Sequence, residues 1–331
     1  MSYNTLLGIC IPTYKRPDQL RQCVRSIIAA AAPHRVPIFI ADDSADDTNT
    51  AAVAELQAEY PYLVCERNAR NLGIDGNIVH SVDICGCDYA WLIGEDDRML
   101  PEAITTILPI LARETPAFVA ANYSYVNETI SLVLREKQML LTADRIEDSG
   151  VFFQNDAWAI GFIGSCIINK SRWQAVDPAP YIGTYFAHVG VILESIAGLS
   201  VHLVAQPLVL NRVGGAEVFT WSGDAFGVFG GWSKVVHLLE PLYGAAACDA
   251  SAASFERGHG LNTVRFLMAK RADRLYTPAV YRQVVRLSDR SRPYKWAALG
   301  IALSPPFVFR VFRAVLSFAR QRRNRKVEMH L

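Results

Sequence analysis

The chain has 331 residues, of which 51% are hydrophobic and 20% are charged, and its formal net charge is +1. This composition is typical of a folded globular protein and excludes a largely disordered chain. A net charge near zero gives the whole chain no electrostatic basis for wrapping nucleic acid, so no nucleic-acid partner is expected.

The cysteines and the N-terminus indicate a compartment. Seven cysteines are scattered without a regular framework, which is typical of reduced thiols in a cytoplasm. The chain enters an apolar, strand-like run at Leu6 without a basic region, a long hydrophobic stretch or a cleavage site, so no signal peptide is predicted. We therefore expect a protein on the cytoplasmic side.

Strands and helices alternate over roughly the first 120 residues. Short apolar runs typical of buried strands are separated by segments in which apolar residues recur at helical spacing. The predicted strands are residues 6–12, 36–41, 63–66, 89–93 and 117–121, and the predicted helices are residues 18–32, 48–60, 74–84 and one that Pro101 opens. This alternation predicts an α/β fold with right-handed crossovers and a parallel sheet covered on both faces.

Polar clusters follow three of these strands. Residues 13–16 (TYKR), 42–44 (DDS) and 95–97 (EDD) each come directly after an apolar run. Ligands of such sheets bind beyond the carboxyl ends of the strands, so these clusters are expected to converge in one crevice.

The acid cluster, defined as Glu95, Asp96 and Asp97, follows an uncharged strand. Adjacent buried carboxylates are costly unless a cation or solvent balances their charge. A nucleotide-diphosphate sugar needs a metal or cationic clamp, because negative charge develops on its diphosphate as the glycosidic bond breaks. The cluster therefore predicts such a clamp, and a solvated acidic turn is the alternative interpretation.

The carboxylates after the second strand have two possible roles. Asp43 is placed to accept a hydrogen from a nucleotide base, whereas Asp46 or Asp47 is placed to cap the following helix. At the end of the first strand, Thr13 and its neighbours supply backbone donors, an aromatic face and a cation for base, ribose or phosphate.

In order along the chain, IPTYKR, ADDSADDT, RNLGIDGN and LIGEDDRMLP resemble glycosyltransferase family 2 over roughly the first 115 residues. The resemblance implies a GT-A nucleotide-diphospho-sugar transferase fold, which is a Rossmann-like, mostly parallel sheet flanked by helices, and a bound Mn or Mg ion. It implies that Asp43 reads the base and that Asp96, with Asp97, holds the metal. The implied nucleotide-sugar contacts are Pro12, Thr13, Tyr14, Arg16, Asp43, Arg70, Asn71, Gly73, Asn77, Glu95 and Asp96.

The chain departs from the family pattern at two glycines. Gly94 stands where the acidic signature often begins with another aspartate, and Gly76 stands where an arginine commonly precedes the residue matching Asn77. The phosphate contact of that arginine then falls to Arg70 as the available substitute.

The catalytic base is assigned to one of several candidates. Inverting members of the family place an acid at the start of a helix in the second half, and the matching stretch here, TYFAHVGVILESIAG, offers His188 and, further on, Glu194. His188 has a suitable intrinsic pKa for a base, and a structural histidine on an apolar helix is the alternative. Asp97 is the other catalytic candidate. Inverting and retaining outcomes both stay open.

The second half is expected to bind the acceptor. Aromatic side chains stack on sugar rings, although aromatics in this pattern are also common in cores. The candidates are Trp158, Phe162, Arg212 and Trp221. Residues 211–231 are rich in glycine and predict a lid over the bound donor. Other predicted elements are strands at 132–134 and 164–168 and a helix at 186–197.

Three regions follow from these patterns. Residues 1–225 form the predicted GT-A catalytic domain, with a nucleotide-sugar half (1–122) and an acceptor half (123–225), and residues 226–331 form a helical C-terminal extension. From Phe307 onward, apolar residues share one helical side and basic residues another, which predicts a helix lying on an anionic membrane surface. A helix packed on the protein is the alternative, and the apolar stretch is too interrupted for a membrane span.

The predicted function is metal-dependent transfer of a sugar from a nucleotide-diphosphate donor to a hydroxyl of a polyprenyl-diphosphate-linked saccharide. The overall pattern is most similar to the abequosyltransferase-like enzymes of surface polysaccharide (O-antigen-like) synthesis, which implies a peripheral location on the inner face of the cell membrane. A sugar-binding or scaffolding protein on an inactive transferase fold is one alternative. Nucleotidyl transfer is the other, and it normally needs a glycine-rich phosphate loop that TYKRPD lacks.

Overall fold

The structure is a computed structural model that describes residues 3–213, 225–260, 263–285 and 291–311. Trp221, residues 214–224 of the predicted lid and the predicted amphipathic tail beyond residue 311 lie outside the described residues.

The first 126 residues form the alternating pattern that the sequence predicts. The strands are β1 Leu7–Thr13, β2 Ile38–Asp42, β3 Leu63–Arg67, β4 Tyr89–Leu92, β5 Arg98–Met99 and β6 Phe118–Val126, and the helices are α1 Pro17–Ala31, α2 Thr50–Glu59, α3 Gly73–Asp83 and α4 Ala103–Glu114. Strands β3, β2, β1 and β4 are neighbours in that order and all parallel. Thr13 pairs with Asp42, so β1 and β2 end side by side.

The second half of the chain adds antiparallel strands to the sheet. It contains β7 Val133–Arg135, β8 Arg145–Asp148, α5 Ser149–Asn155, β9 Cys166–Asn169, α6 Lys170–Trp173, α7 Ala187–Ser195 and β10 Ser200–Arg212. β9 lies between β4 and β6 and is antiparallel to both, whereas β10 is parallel to β6. The α/β class is confirmed. The wholly parallel arrangement holds for the four neighbouring strands β3, β2, β1 and β4.

The sequence patterns missed β10, which has 13 residues and lies between β6 and β5 in the sheet. Its apolar run is interrupted by Gln206 and Pro207, and the pairing with β6 shifts register on both sides of Pro207. Proline cannot donate to a sheet ladder and normally argues against a central strand. The register shifts let β10 continue past Pro207 as far as Arg212.

Beyond residue 225 the described chain is helical, as predicted. The helices are α8 Ala225–Leu238, α9 Glu240–Tyr243, α10 Ala245–His259, α11 Val264–Ala272, α12 Pro278–Val280 and α13 Arg292–Leu303. The chain divides into two compact units, Met1–Val218 with Val228–Phe255 and Phe219–Gly227 with Glu256–Leu331. The second unit has its own apolar core, to which Leu267, Tyr276 and Ile301 belong.

Candidate functional site

The acid cluster lies directly beyond β4, beside the end of β1. The N–H of Ile93 donates to the carbonyl of Cys10 at 2.9 Å, and the N–H of Asp97 donates to the carbonyl of Gly94 at 3.1 Å, so residues 94–97 form a tight turn against β1. Glu95, Asp96 and Asp97 are only 9%, 8% and 3% exposed. The alternative of a solvated acidic turn is therefore wrong.

Glu95 joins the ends of β1 and β4. Its Oε2 accepts hydrogen bonds from the hydroxyl of Thr13 and from the N–H of Tyr14, the latter at 2.9 Å. Its Oε1 lies 3.5 Å from Nη1 of Arg16. Burial raises the pKa of Glu95 to about 7, while these donors and the arginine act in the opposite direction. Glu95 thus fixes the chain segment that carries Tyr14 and Arg16.

Asp96 lies between two arginines. Its Oδ2 is 3.9 Å from Nη1 of Arg16 and 3.7 Å from Nη2 of Arg212, distances that allow charge attraction but exceed those of a hydrogen bond. The same oxygen is buried and has no hydrogen-bond partner within the described part of the chain. Burial raises the pKa of Asp96, and Arg212 and Arg16 oppose that rise.

Asp97 is held by the end of β10. Its Oδ1 accepts the backbone N–H of Arg212 at 3.2 Å. Burial raises the pKa of the Asp97 carboxyl well above its usual range, and the neighbouring charge of Asp96 adds to this rise. The site therefore brings together two carboxylates that resist being charged at the same time unless a cation is near.

The donor set fits a hard divalent cation. Over the described ranges, no group of three or more His, Cys, Asp or Glu side chains is arranged to hold an ion by itself. Mg²⁺ commonly binds through one or two carboxylates plus the phosphates of a substrate, so such a group is not required. The unpartnered oxygen of Asp96, beside the carboxylate of Asp97, is suited to that mode of binding.

Gly94 lies close to the carboxylates of the cluster. A Cβ at this position would lie 2.5 Å from Oδ2 of Asp97 and 3.2 Å from Oδ1 of Asp96. A larger residue at this position would require the carboxylate of Asp97 to shift.

Asp43 is buried and engaged by the segment that precedes α3. Its Oδ1 accepts the amide of Asn68 at 2.8 Å and the N–H of Leu72 at 2.7 Å, and its Oδ2 accepts the N–H of Gly73 at 3.1 Å. Asp43 therefore fixes residues 68–73 beside the end of β2, and its contact with a base stays a prediction. Asp46 caps the following turn by accepting the N–H of Thr48 at 3.0 Å, which confirms the predicted capping role.

The remaining predicted nucleotide-sugar residues divide by exposure. Asn77 is buried and donates to the carbonyls of Thr13 at 3.3 Å and Ala41 at 3.1 Å, so it ties α3 to β1 and β2. The partly or fully exposed residues are Pro12, Tyr14, Arg16, Arg70, Asn71 and Gly73. Contacts link Thr13, Tyr14, Arg16, Glu95 and Asp96 into one group, and Asp43, Gly73 and Asn77 line the adjoining strand end.

His188 is 1% exposed, in the first turn of α7. Its Nε2 lies 3.0 Å from the carbonyl of Ile160, to which it donates if it carries the proton, and Nδ1 is buried without a hydrogen-bond partner among the described residues. Burial lowers its pKa to about 4, although the negative charge of Asp75 opposes that shift. These features favour the structural interpretation of His188 over that of a base.

The predicted acceptor residues that the structure describes lie in three different places. Trp158 is buried in the short helix Ala157–Gly161, and Phe162 packs on Tyr123 with ring centroids 4.4 Å apart. Arg212 lies at the acid cluster, where the sequence interpretation did not put it. The signal that could have placed Arg212 is the apolar run of β10, which ends at this arginine.

Comparisons with known proteins agree with this geometry. The model of Glycosyl transferase family 2 matches residues 8–171. The chain is 26% identical over 235 residues to abequosyltransferase RfbV of Salmonella typhimurium, covering 66% of this chain and 70% of that protein. It is 28% identical over 102 residues to the uncharacterized protein MT1568 of Mycobacterium tuberculosis, covering 31% of each chain.

Two solved structures are similar in fold. TarS of S. aureus in complex with UDP-GlcNAc gives a TM-score of 0.57 at 11% identity, covering 89% of this chain and 80% of that chain. The mannosyltransferase PcManGT of Pyrobaculum calidifontis in complex with GDP-Man and Mn²⁺ gives 0.51 at 14% identity, covering 91% and 88%. The GT-A fold that the resemblance implied is confirmed.

Proposed function

The chain belongs to glycosyltransferase family 2 and is a glycosyltransferase, and from this premise we propose that it transfers a sugar from a nucleotide-diphosphate donor to a hydroxyl of a lipid-linked glycan. The observation that carries this proposal is the unpartnered, buried oxygen of Asp96 between Arg16 and Arg212 at the carboxyl ends of the strands. An anionic diphosphate with its cation matches that combination of charges.

Asp96 is the principal metal ligand in this proposal, and Asp97 is the second. A Mn or Mg ion held by these two carboxylates would stabilise the negative charge that develops on the leaving diphosphate. Arg16 and Arg212 attract the phosphates of the donor and can form charge-assisted hydrogen bonds with them. Glu95 holds Tyr14 and Arg16 in place by the hydrogen bonds and ion pair described above.

The nucleoside lies, in this proposal, along the ends of β1 and β2. Tyr14 is partly exposed and offers a ring face, and Arg70 is an exposed cation near the start of α3. Asp43 reads the base, and the exposed residues Asn71 and Gly73 line the ribose or phosphate. The acceptor half keeps Trp158, Phe162 and Trp221 as its candidate residues, beyond residue 122.

A thermal-shift screen of nucleoside diphosphates with Mn²⁺ tests this function. We expect one base to raise the melting temperature more than the others, because a ligand that binds only the folded state stabilises it by mass action. Neither a scaffold on an inactive fold nor a nucleotidyltransferase predicts both a preference for one base and transfer or hydrolysis of the sugar of a nucleotide-diphosphate donor. Equal shifts for all bases, or none, would contradict the proposal.

The proton acceptor is proposed from two candidates, His188 and Asp97, and a substitution tests the first of them. We expect His188→Gln to keep transfer within about threefold of wild type, because the buried imidazole faces a backbone carbonyl and glutamine can donate to the same group. A loss of about 100-fold or more with an intact fold would instead identify His188 as the base.

The His188→Gln variant should also differ from wild type in how its stability depends on pH. Because the pKa of His188 is about 4 in the folded protein and ordinarily 6.5, the unfolded chain takes up a proton first as the pH falls. Stability is thus lost between pH 6.5 and pH 4, by on the order of 3 kcal/mol. Urea unfolding at both ends of this window should show that loss in wild type and a smaller one in His188→Gln.

The C-terminal region is proposed to bind the inner face of the cell membrane. Residues 256–331 contain 17 Lys and Arg against 4 Asp and Glu, a net charge of +13, whereas residues 1–255 have a net charge of −12. Trp296 is 71% exposed, and Leu303, Phe307, Val308 and Val311 are exposed as well. Basic charge beside exposed apolar groups favours an anionic bilayer surface. Among the described residues, no helix is long and apolar enough to span a membrane.

Sedimentation with vesicles tests this location. We expect wild type to bind vesicles that contain anionic lipid better than neutral ones, and deletion after Ser304 to release it into the soluble fraction. Trp296→Ala should weaken binding by roughly 10-fold to 100-fold, since one buried aromatic side chain contributes about 1.5–3 kcal/mol. The control is Leu140→Ala, which removes an exposed leucine from the other unit. Unchanged partitioning after the deletion would favour a tail that packs on protein.

A further inference from the structure

Asp75 is a buried carboxylate whose one effect described above is on the pKa of His188. It lies in the first turn of α3 and is 5% exposed. Its Oδ2 accepts the N–H groups of Gly183 at 2.8 Å and Tyr185 at 2.9 Å, and its Oδ1 accepts the N–H of Ala187 at 3.1 Å. Charge-assisted hydrogen bonds of this kind are about twice as strong as neutral ones.

These bonds determine how α7 begins. The residue before the helix, Phe186, makes no side-chain capping bond, so Asp75 caps α7 from another helix. The pre-α7 loop, residues 181–186, also contains two residues at positive φ, Gly183 at 84° and Tyr185 at 66°. For tyrosine this backbone conformation is strained and persists only where surrounding contacts hold it.

A second contact holds the same loop from the other side. The backbone of α8 packs on the carbonyl of Thr184 so closely at Gly231 that no side chain would fit there. The loop is therefore clamped between α8 and the carboxylate of Asp75.

The other side of α3 is fixed to the proposed donor site. Asp43 accepts the N–H groups of Leu72 and Gly73, where α3 begins. Asn77 donates to carbonyls at the ends of β1 and β2. One rigid helix thus connects the strand ends that carry the donor residues to the loop that precedes α7.

We propose that Asp75 is a positioning residue that sets the pre-α7 loop, and Tyr185 with it, at the angle to the bound donor that acceptor alignment requires. This inference rests on the proposed function and adds that donor binding and sugar transfer depend on different parts of the protein. Donor binding depends on the strand ends, whereas transfer to a sugar hydroxyl also depends on the loop. Misplacement of a reactant by about 1 Å can cost on the order of 100-fold in rate.

The test compares three readouts in Asp75→Asn: the Kd of the donor nucleotide, hydrolysis of the donor by water, and transfer to acceptor. Asparagine has nearly the same shape but presents an N–H₂ group to N–H donors and lacks the charge. We expect the kcat of transfer to fall on the order of 100-fold, while the Kd and the hydrolysis rate stay within about twofold.

A second variant guards against loss of folding. Gly183→Ala adds a methyl group at positive φ where no atom lies within 4 Å, so it perturbs the backbone of the loop alone. Gly198→Ala is the matched control, because Gly198 has φ 74° and equally open surroundings but lies outside the loop. We expect Gly183→Ala to reproduce the selective loss of transfer at smaller size and Gly198→Ala to leave all three readouts unchanged.

Two outcomes overturn the inference. If transfer, hydrolysis and nucleotide binding fall in proportion to one another, Asp75 only supports the fold. If Asp75→Asn and Gly183→Ala leave transfer unchanged, the loop does not align the acceptor. A wild-type protein that binds no nucleoside diphosphate fails at an earlier step, and that result overturns the proposed function together with this extension of it.

Discussion

Asp96→Asn is expected to lower sugar transfer by on the order of 10³-fold. The variant keeps the volume of the side chain but removes the charge that would attract the ion, and Asn is a poorer ligand for a hard cation. Because burial raises the pKa of Asp96, removal of its charge should leave the melting temperature equal to or above that of wild type. Loss of activity without loss of stability is the expected signature.

Radioactive-donor transfer assays and calorimetry at several Mn²⁺ concentrations would measure both effects. Asp47→Asn is the control, since it removes a carboxylate whose side chain is 91% exposed in the turn after β2. If Asp96→Asn stays active, or if wild-type turnover resists a chelator, the proposal of a metal clamp fails.

Arg212→Gln is expected to weaken donor binding by roughly 10-fold to 100-fold, since a charge-assisted hydrogen bond contributes about 1.5–3 kcal/mol. The guanidinium lies 3.7 Å from Asp96, so we expect it to contact the diphosphate when the donor binds. The backbone N–H that Asp97 accepts is kept in this variant, and the packing of the cluster should therefore survive.

The sequence assigned Arg212 to the acceptor, and the two roles predict different kinetics. A diphosphate role raises the Kd of the donor nucleotide in the absence of acceptor. An acceptor role raises only the KM of the acceptor and leaves the donor Kd unchanged. Arg113→Gln, in the exposed last turn of α4, controls for the loss of one positive charge.

The sequence predicted the nucleotide half of the fold because its information there is local. Each strand is a continuous apolar run with turn residues at its end, as at Pro12 and Thr13, and each helix has its own periodicity. Asp46 was a possible cap because capping depends on residues two or three positions away. The parallel topology then places the carboxyl ends of these strands at the same edge of the sheet.

The rest depends on contacts between residues far apart in the chain. β9 lies between β4 and β6 although it follows them by about 40 residues or more, and no local pattern specifies that insertion. Pro207 concealed β10, and with it the approach of Arg212 to Asp96. Asp75 bonds to residues more than 100 positions away, and such bonds cannot be predicted from the periodicity of apolar residues. The burial of His188 is likewise a property of packing.

Gly94 has a consequence for protein engineering. Consensus design replaces unusual residues by those that are common among relatives, and it often stabilises proteins. At this position the resemblance to the family implies an aspartate, whose Cβ would lie 2.5 Å from Oδ2 of Asp97. A library built by consensus would thus require the carboxylate of Asp97, which the proposed ion needs, to shift, and position 94 is best kept as glycine in any such library.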